Sequence, residues 1–474
     1  MEGKIKTLIK DLGLEEYYPR KLTREEVFKV SENTISSDDL NGDPRKIPWY
    51  MLQNVIICNY EGRSFDFEES YLFPENTAPQ GKLKSCNVKT QVSPLDALVA
   101  IFLCCDNFFR QILIEKLSLC QIAIPLLMPV TDVPNKEWEL IVWGMRTITK
   151  KWKMSSGSSC QKSMVVERLP IVSALRIGRP KISKSKIVNC IINKNHDIFI
   201  NSGCKCGNVK RQLSNGLLEI AWYLPSQKSR NAFSDAVTFI NLRRNASKFK
   251  SQTSFLSKIS LVTIAFVSCA DFNKQGAALL ESLHSQEGKV IIILDGSKVT
   301  KTLKKIKKKG EADKKVQYMR SQDKNEVKIS GEIRKLLGSI SERSNQHRSI
   351  EECIEVAQRL DYHVDESGLD CLEAKQSAKQ MLDCITNEGK QKELPLQMVT
   401  VQIGETKKEQ HQLRNIRQEN LEKYVIRLRN KVKYLRHQQL AKDQQRLECS
   451  TYNMFTASLS HSALKRKYFW AFVR

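Results

Sequence analysis

Five short runs of apolar, β-branched residues in the middle of the chain constrain its fold more than any other sequence feature. They span residues 171–177, 217–224, 236–240, 259–267 and 290–294. Polar stretches long enough to hold helices or loops separate the runs, and this pattern is typical of a largely parallel sheet that helices cover on both faces. The sequence therefore predicts a central α/β domain.

The first run leads into a segment with most of a phosphate-binding loop, G-x-x-x-x-G-K-[ST]. Such a loop wraps backbone N–H groups around phosphates at a helix N-terminus, while its lysine reaches the outer phosphates and its hydroxyl ligates Mg²⁺. The spacing is right, but Ser183 replaces the second glycine, which would tolerate positive φ more readily. We predict a nucleotide site here, with Ser185 also a metal ligand; a basic loop that caps a helix is the alternative. The predicted nucleotide-binding residues of the loop are Gly178, Arg179, Pro180, Lys181, Ile182, Ser183, Lys184 and Ser185.

Three residues outside the loop, Asn241, Ser214 and Asp295, are candidate contacts for the nucleotide or its metal ion. The third run leads into Asn241, at the place of the aspartate in the D-x-x-G motif of phosphate-loop GTPases, and Arg244 stands at the place of its glycine. Ser214, in a loop at the position of a first switch, is a candidate metal contact, and a solvent-facing serine is the alternative. Asp295 directly follows the last run and is a candidate contact for the guanine edge. The alternative is an ordinary turn aspartate. Because no N-K-x-D motif is present, the residues alone leave GTP and ATP both open.

Helical periodicity dominates on both sides of the α/β domain. Before it, apolar residues recur at helical spacing over 93–127, where two prolines close the segment. The small, polar stretch 153–163 is typical of a linker. The seam over 421–435 spans only about two heptads, which favours a helix-bundle stripe over a coiled coil. We predict a helical N-terminal region (1–155), a phosphate-loop α/β domain (156–335) and a basic helical C-terminal region (336–474).

Charge and composition limit the classes of function. The chain has 77 Lys and Arg against 52 Asp and Glu, a net charge of +25, and residues 298–337 and 407–446 together carry +17 of it. Such segments could attract nucleic acid or anionic lipid, or form a solvated helix face. No apolar stretch approaches the roughly 18 residues of a membrane span, and the N-terminus lacks an apolar signal core. We expect a soluble intracellular chain whose 14 cysteines are reduced thiols.

Several separated segments resemble one family. They include LRIGRPKISKSKIVN (175–189), CGNVKRQLSNGLLEIAWYLP (206–225) and FINLRRN (239–245), with similar helical segments at 12–23, 48–60 and 93–129 and ELPLQ at 393–397. These resemble the G domain and flanking regions of the interferon-inducible very large GTPases and the related up-regulator of cell proliferation. The resemblance covers about residues 10 to 445, and since members of that family are far longer, the chain is identified as a truncated member.

The resemblance implies a dynamin-related protein of the cytoplasm and nucleus that binds GTP with Mg²⁺. The family has an N-L-R-G-D turn where this chain has N-L-R-R-N, so Arg244 and Asn245 put GTP hydrolysis to GDP and phosphate in doubt, and we assign no catalytic residue. Ser183 agrees with the family. We therefore expect a guanine-nucleotide-binding protein with weak or absent hydrolysis, which self-associates through its helical regions. The rival interpretation is a non-hydrolysing scaffold that binds protein partners or nucleic acid through basic helices.

Overall fold

The structure is a computed structural model, and it contains two compact units, Met1–Asp365 and Glu366–Arg474. It describes residues 2–28, 35, 40, 43–63, 92–154, 158–205, 207–225, 233–296, 299–311, 315–322, 324–344, 346–388, 395–416, 419–443 and 450–473. Cys206, which opens one family-like segment, and Glu393 and Leu394 of another lie outside these ranges. The domain boundaries at 155/156 and 335/336 stay predictions.

A mixed sheet forms the centre of the first unit. The strands described there are β1 (Ile124–Pro129), β2 (Trp138–Leu140), β3 (Thr149–Lys153), β4 (Ser159–Ser163), β5 (Ile171–Ile177), β6 (Leu218–Tyr223), β7 (Val237–Asn245), β8 (Val262–Ser268), β9 (Lys289–Asp295), β10 (Val316–Arg320) and β11 (His363–Val364). Nine of them form one sheet in the order β10-β9-β8-β5-β7-β6-β1-β2-β11. The first five in that order run parallel, and β6 pairs antiparallel with both β7 and β1. The predicted α/β architecture is confirmed, and each of the five predicted runs overlaps a strand of this sheet.

Helices cover both faces of the parallel strands. Those described in this unit are α1 (Glu2–Asp11), α2 (Arg24–Phe28), α3 (Ile47–Ile56), α4 (Pro94–Cys104), α5 (Asn107–Leu119), α6 (Lys184–Ile192), α7 (Lys250–Ile259), α8 (Lys274–His284), α9 (Lys301–Glu311), α10 (Glu326–Glu342) and α11 (Cys353–Arg359). In β8, Ile264 and Phe266 belong to the core cluster that holds α6 and α10, whereas Ala265 and Val267 belong to the cluster that holds α7 and α8. Successive side chains of a strand point to opposite faces, so a run that is buried throughout needs both helical layers.

The N-terminal part of the chain, for which the sequence predicts helices, also contains strands. Helix α4 ends at Cys104, and the Asp106 carboxylate caps α5 by accepting the N–H of Phe109 at 2.6 Å. The apolar run Ile124–Pro129 then becomes β1, fully buried between β2 and β6. Pro125 cannot continue a helix, and a bulge beside it accommodates the proline in the sheet. The helical prediction is wrong for residues 124–153 because these residues form paired strands: β1 pairs with β2 and with the distant β6, and β3 pairs with β4.

The predicted linker at 153–163 is also wrong where the structure describes it. Ser159–Ser163 forms β4, which pairs antiparallel with β3. Trp152 of β3 is buried, and its Nε1 donates a hydrogen bond to Asp235 at 2.6 Å. Residues 155–157 lie outside the described residues. The small polar residues of β4 thus form a short hairpin with β3. Strand β3 provides the backbone hydrogen bonds that the residues of a linker would make with water.

The second unit is helical over its described residues. Its helices are α12 (Leu369–Glu388), α13 (Pro395–Gln412), α14 (Leu421–Asp443), α15 (Ser450–Leu459) and α16 (Ala463–Val473). Helices α13 and α14 pack together, and Tyr424 donates its hydroxyl hydrogen to Glu409 at 2.8 Å. Leu428, Val432 and Leu435 of the predicted stripe are buried, whereas Leu421 is exposed. Among the described helices of either unit, none has the length and apolar character needed to cross a bilayer.

Candidate functional site

The segment 178–185 connects the end of β5 to the start of α6. Gly178 has φ +77°, and a Cβ there would lie 2.5 Å from Oδ1 of Asp271, so both backbone conformation and space require glycine. Ser183 has φ −82°, and its side chain accepts the N–H of Lys186 as the N-cap of α6. The loop therefore places no positive φ at the position where the standard motif has its second glycine, and serine fits there without backbone strain.

Side chains from three other strand ends or loops hold the first half of this segment. The N–H of Gly178 donates to Asn245 at 3.2 Å, that of Arg179 to Asp271 at 3.1 Å, and that of Lys181 to Asp295. The N–H groups of Lys184 and Ser185, at the first turn of α6, have no hydrogen-bond partner among the described residues. The N–H groups of Ile182 and Ser183 likewise have no partner among the described residues, so the second half of the segment presents free amides of the kind that bind anions.

Lys184 and Ser185 meet the end of β7. The Lys184 ammonium is buried and donates to Oδ1 of Asn241 and to the carbonyl of Leu242. The Ser185 hydroxyl accepts from Nδ2 of Asn241 at 3.4 Å and from Nη1 of Arg243 at 3.1 Å. Three of the sequence-predicted residues, which lie up to 57 positions apart, are therefore in direct contact.

A pocket of about 450 Å³ opens beside this contact. Its wall combines Pro180 through Ser185 with the loop around 200–211 and the end of β7. Among the described residues that line it there is no Asp or Glu, whereas seven are basic. These are Arg176, Lys181, Lys184, Lys210, Arg211, Arg243 and Arg244. Such a wall attracts anions and repels cations.

The charges of this pocket are poorly compensated inside the protein. Burial, followed by the proximity of Arg243 and Arg176, lowers the pKa of Lys184 well below its usual value. Burial, followed by neighbouring arginines, also lowers the pKa of Arg176, and burial with Arg243 nearby lowers the pKa of Arg211 to about 9. A bound polyanion would oppose these shifts in pKa, because it would bring negative charge close to the buried cations.

Not every predicted residue lines this pocket. Of the loop, Pro180 through Ser185 do so, whereas Gly178 and Arg179 shape its base through Asn245 and Asp271. Asp295 supports the loop as well, since its carboxylate accepts from Lys181 and from the Ser321 hydroxyl. Its contact with a guanine edge stays a prediction.

Ser214, the second predicted metal contact, is fully buried and is not one of the residues that line the pocket. Its N–H donates to Oδ1 of Asp96 at 2.7 Å, and the same carboxylate accepts the N–H groups of Gln212 and Leu213. Asp96 of α4 therefore anchors the loop that carries Arg211. The alternative of a solvent-facing serine is wrong, and a metal at Ser214 stays a prediction.

Sequence reasoning missed several residues of the site. Arg176, Lys210 and Arg211 supply much of the positive charge, and Glu219 forms a buried ion pair with Arg243. None of them belongs to a motif with a fixed spacing from the loop. The sequence does carry one signal, because residues 201–215 lie where a first switch loop is predicted. That prediction pointed to Ser214, whereas the structure places Arg211 of the same loop in the pocket.

An α/β fold with a cationic pocket at a helix N-terminus is an arrangement typical of anion-binding proteins, and comparisons with known proteins identify the family. A family model described as "Up-regulator of cell proliferation-like domain" matches residues 92–382, and the N-terminal domain model of the same family matches residues 5–79. The chain belongs to the up-regulator of cell proliferation-like family.

Curated relatives agree with this membership. Interferon-induced very large GTPase 1 from Homo sapiens is 28% identical over 477 residues, which cover 93% of this chain and 19% of that protein. Up-regulator of cell proliferation from Bos taurus is 26% identical over 468 residues, which cover 90% of this chain and 50% of that protein. Caspase recruitment domain-containing protein 6 from Homo sapiens is 32% identical over 189 residues, 38% of this chain. The chain thus spans about a fifth of the first relative and half of the second.

Proposed function

We propose that this chain binds the phosphates of a guanine nucleotide in the pocket beside α6. The observation that carries the proposal is the set of seven lysines and arginines, without a carboxylate among the described lining residues, around the free amides of Lys184 and Ser185. Lys184 would reach the outer phosphates, and Arg211 and Arg243 would add charge from the facing walls. The guanine preference rests on the printed name of a relative, which is a GTPase, and on Asp295 beside the loop.

We further propose that hydrolysis is weak or absent. Phosphoryl transfer needs a group that positions the attacking water as well as positive charge around the phosphates. The described lining of the pocket supplies charge, but its polar residues are lysines, arginines, serines and asparagines and include no carboxylate to act as a base. Arg244 occupies the turn position whose backbone amide would otherwise approach the γ-phosphate. The site is therefore better suited to hold a nucleotide than to cleave it.

Equilibrium binding of a fluorescent GTP analogue tests the proposal. We expect saturable binding that GTP displaces at least about tenfold better than ATP, a difference of about 1.4 kcal/mol. Inorganic pyrophosphate should compete as well, because the phosphates supply most of the contacts. The proposal would be overturned if no saturable binding occurred up to roughly millimolar analogue, a concentration that corresponds to a binding free energy of only about −4 kcal/mol. Equal displacement by GTP and ATP would retain the phosphate site and remove the guanine assignment.

The affinity should also depend on pH. Because the pKa of Arg211 is lowered to about 9 in the free pocket, a phosphate ligand that favours the charged form must raise it. Above about pH 9, ligand binding is then coupled to protonation of Arg211. The affinity should therefore be highest below about pH 9 and decrease as the pH rises through that value. The stability of the nucleotide-free protein should change with pH in the opposite direction. Between about pH 9 and the ordinary pKa of arginine, the unfolded chain binds more protons at Arg211 than the folded protein does. The free energy of unfolding therefore increases with pH over this range.

Titrations of the wild type and of Arg211→Gln between pH 8 and pH 10 separate this effect from ionisation of the ligand. We expect the wild type to lose affinity over this range more steeply than the variant. Parallel curves for the two proteins would contradict the role of Arg211.

A further inference from the structure

The Ser185 hydroxyl, which the family resemblance assigns to Mg²⁺, already has two donors. Nη1 of Arg243 lies 3.1 Å from its oxygen, and Nδ2 of Asn241 lies 3.4 Å away. Arg243 is held in place from behind: its Nε is paired with Glu219, and Nη1 also donates to the carbonyl of Ile200 at 2.6 Å. Arg243 is only 2% exposed, and its guanidinium and the Asn241 amide together use both lone pairs of the Ser185 oxygen, which a metal would also need.

The groups around Ser185 do not fit Mg²⁺. This ion requires six oxygen ligands at about 2.1 Å and is usually held through carboxylates. Asn241 turns its amide nitrogen, a donor, toward Ser185, and the carboxylate of Glu219 is neutralised by Arg243. Among the described residues, no group of three or more His, Cys, Asp or Glu side chains is placed to hold a metal. A divalent cation here would face hydrogen-bond donors and positive charges.

Arg243 also has a free donor. Its Nη2 is buried and has no hydrogen-bond partner among the described residues, and Arg243 is one of the residues that line the pocket. A buried guanidinium nitrogen without an acceptor is costly, and a phosphate oxygen would satisfy it. Arg243 would then bridge Ser185 and the ligand, with Nη1 on the serine oxygen and Nη2 on a phosphate oxygen. Mg²⁺ bridges the same two groups at a standard phosphate loop.

We propose that Arg243 takes the place of Mg²⁺ in this pocket, so that the chain binds its nucleotide as the free polyanion, without a divalent metal. This inference rests on the proposed nucleotide site. The charge is sufficient, because seven basic side chains surround a ligand that carries about four negative charges when no metal is bound. Mg²⁺ on the ligand would cancel two of these charges and compete with Arg243 for the same oxygens.

The affinity of the full chain for a fluorescent GTP analogue, measured with excess EDTA and again with millimolar Mg²⁺, tests this directly. We expect the dissociation constant in EDTA to equal that in Mg²⁺ within about threefold, or to be lower. Binding that weakens roughly tenfold or more in EDTA would overturn the inference and leave the nucleotide site intact. No binding under either condition would overturn both. The Mg²⁺ measurement therefore distinguishes the two failures.

Arg243→Gln assigns the effect to this side chain. We expect the variant to bind the analogue about 10- to 100-fold more weakly in EDTA, as for the loss of one or two charge-assisted hydrogen bonds, and Mg²⁺ to restore part of the loss because Ser185 and Glu219 are released. Arg146→Gln, which breaks the ion pair with Glu351 away from the pocket, is the matched control and should bind like the wild type. An unchanged affinity of Arg243→Gln in EDTA would count against Arg243. Circular dichroism verifies the fold of each variant, and if Arg243→Gln does not fold, the wild-type comparison alone decides.

Discussion

Replacement of Lys184 by methionine should weaken binding of the GTP analogue by about 10- to 100-fold, the value of a charged hydrogen bond to phosphate. Methionine keeps most of the volume and removes the charge. The ammonium lies at the N-terminus of α6 and lines the pocket, so its loss removes a contact to the outer phosphates. Lys181 of the same loop also lines the pocket, but it precedes α6, whereas Lys184 lies at the helix N-terminus itself.

The same substitution should change the stability of the nucleotide-free protein little, because the loss of the hydrogen bonds to Asn241 and Leu242 opposes the relief of a buried charge. Lys184 is a buried cation whose pKa is lowered by burial and by neighbouring arginines, so its charge is unfavourable in the empty pocket. Urea unfolding without nucleotide should show a free energy of unfolding within about 1 kcal/mol of the wild type. A loss of binding together with a large loss of stability would indicate a structural role for Lys184.

Lys186→Met is the matched control, because Lys186 lies on the same turn of α6 but points to solvent and pairs with Glu326. It should bind the analogue like the wild type and lose at most about 1 kcal/mol of stability, as expected for an exposed ion pair. If Lys184→Met bound as well as this control, the nucleotide assignment would be wrong. A scaffold that binds polyanions through the Lys-rich residues of 301–315 would then be the better explanation.

The second large effect is expected from restoring the turn after β7. The double variant Asn241→Asp, Arg244→Gly should increase GTP turnover by at least about tenfold, since one well-placed backbone donor contributes about 100-fold or more at comparable sites. Arg244 has φ +72°, a left-handed conformation that glycine adopts freely. The backbone at 244 thus has the conformation of a glycine turn, and the substitution removes a side chain that lines the pocket.

Asn241→Asp adds the carboxylate that the turn lacks. In the structure Asn241 contacts both Lys184 and Ser185, so an aspartate there would meet the loop lysine and offer an oxygen ligand beside the serine hydroxyl. We expect turnover in this double variant to rise with or without Mg²⁺, because Arg243 still contacts the Ser185 hydroxyl. The measurement is phosphate release under single-turnover conditions, with and without the metal.

Arg244→Ala provides the control for the glycine. It removes the guanidinium, which donates to Asn215 at 2.7 Å, but it keeps a Cβ at positive φ. Arg244→Gly should therefore be more stable than Arg244→Ala by about 1–2 kcal/mol, the cost of the left-handed conformation for a residue with a Cβ. If turnover did not rise in the double variant, the limit on hydrolysis would lie in another part of the site, such as the missing group that positions water.

Much of the central domain could be predicted from the sequence because its signals are local. The five apolar runs mark strands, since a strand buried on both faces needs an unbroken apolar sequence. The helical prediction for 93–127 identified α4 and α5 but continued into β1, because a short apolar run with prolines does not reveal whether a partner strand exists. The linker prediction at 153–163 failed for the same reason, since β4 is stabilised by β3 and not by its own composition.

The sequence by itself determined the order of strand, loop and helix around residue 178, the glycine that the loop requires, and the spacing that places Lys184 and Ser185 at the helix end. These features follow from backbone geometry within a few residues. Only the tertiary structure decided that Arg176, Arg211 and Arg243 converge on that helix end, and that Arg243 donates a hydrogen bond to the Ser185 hydroxyl. The distances between residues tens of positions apart are set by how strands pair and helices pack, and no local pattern records them.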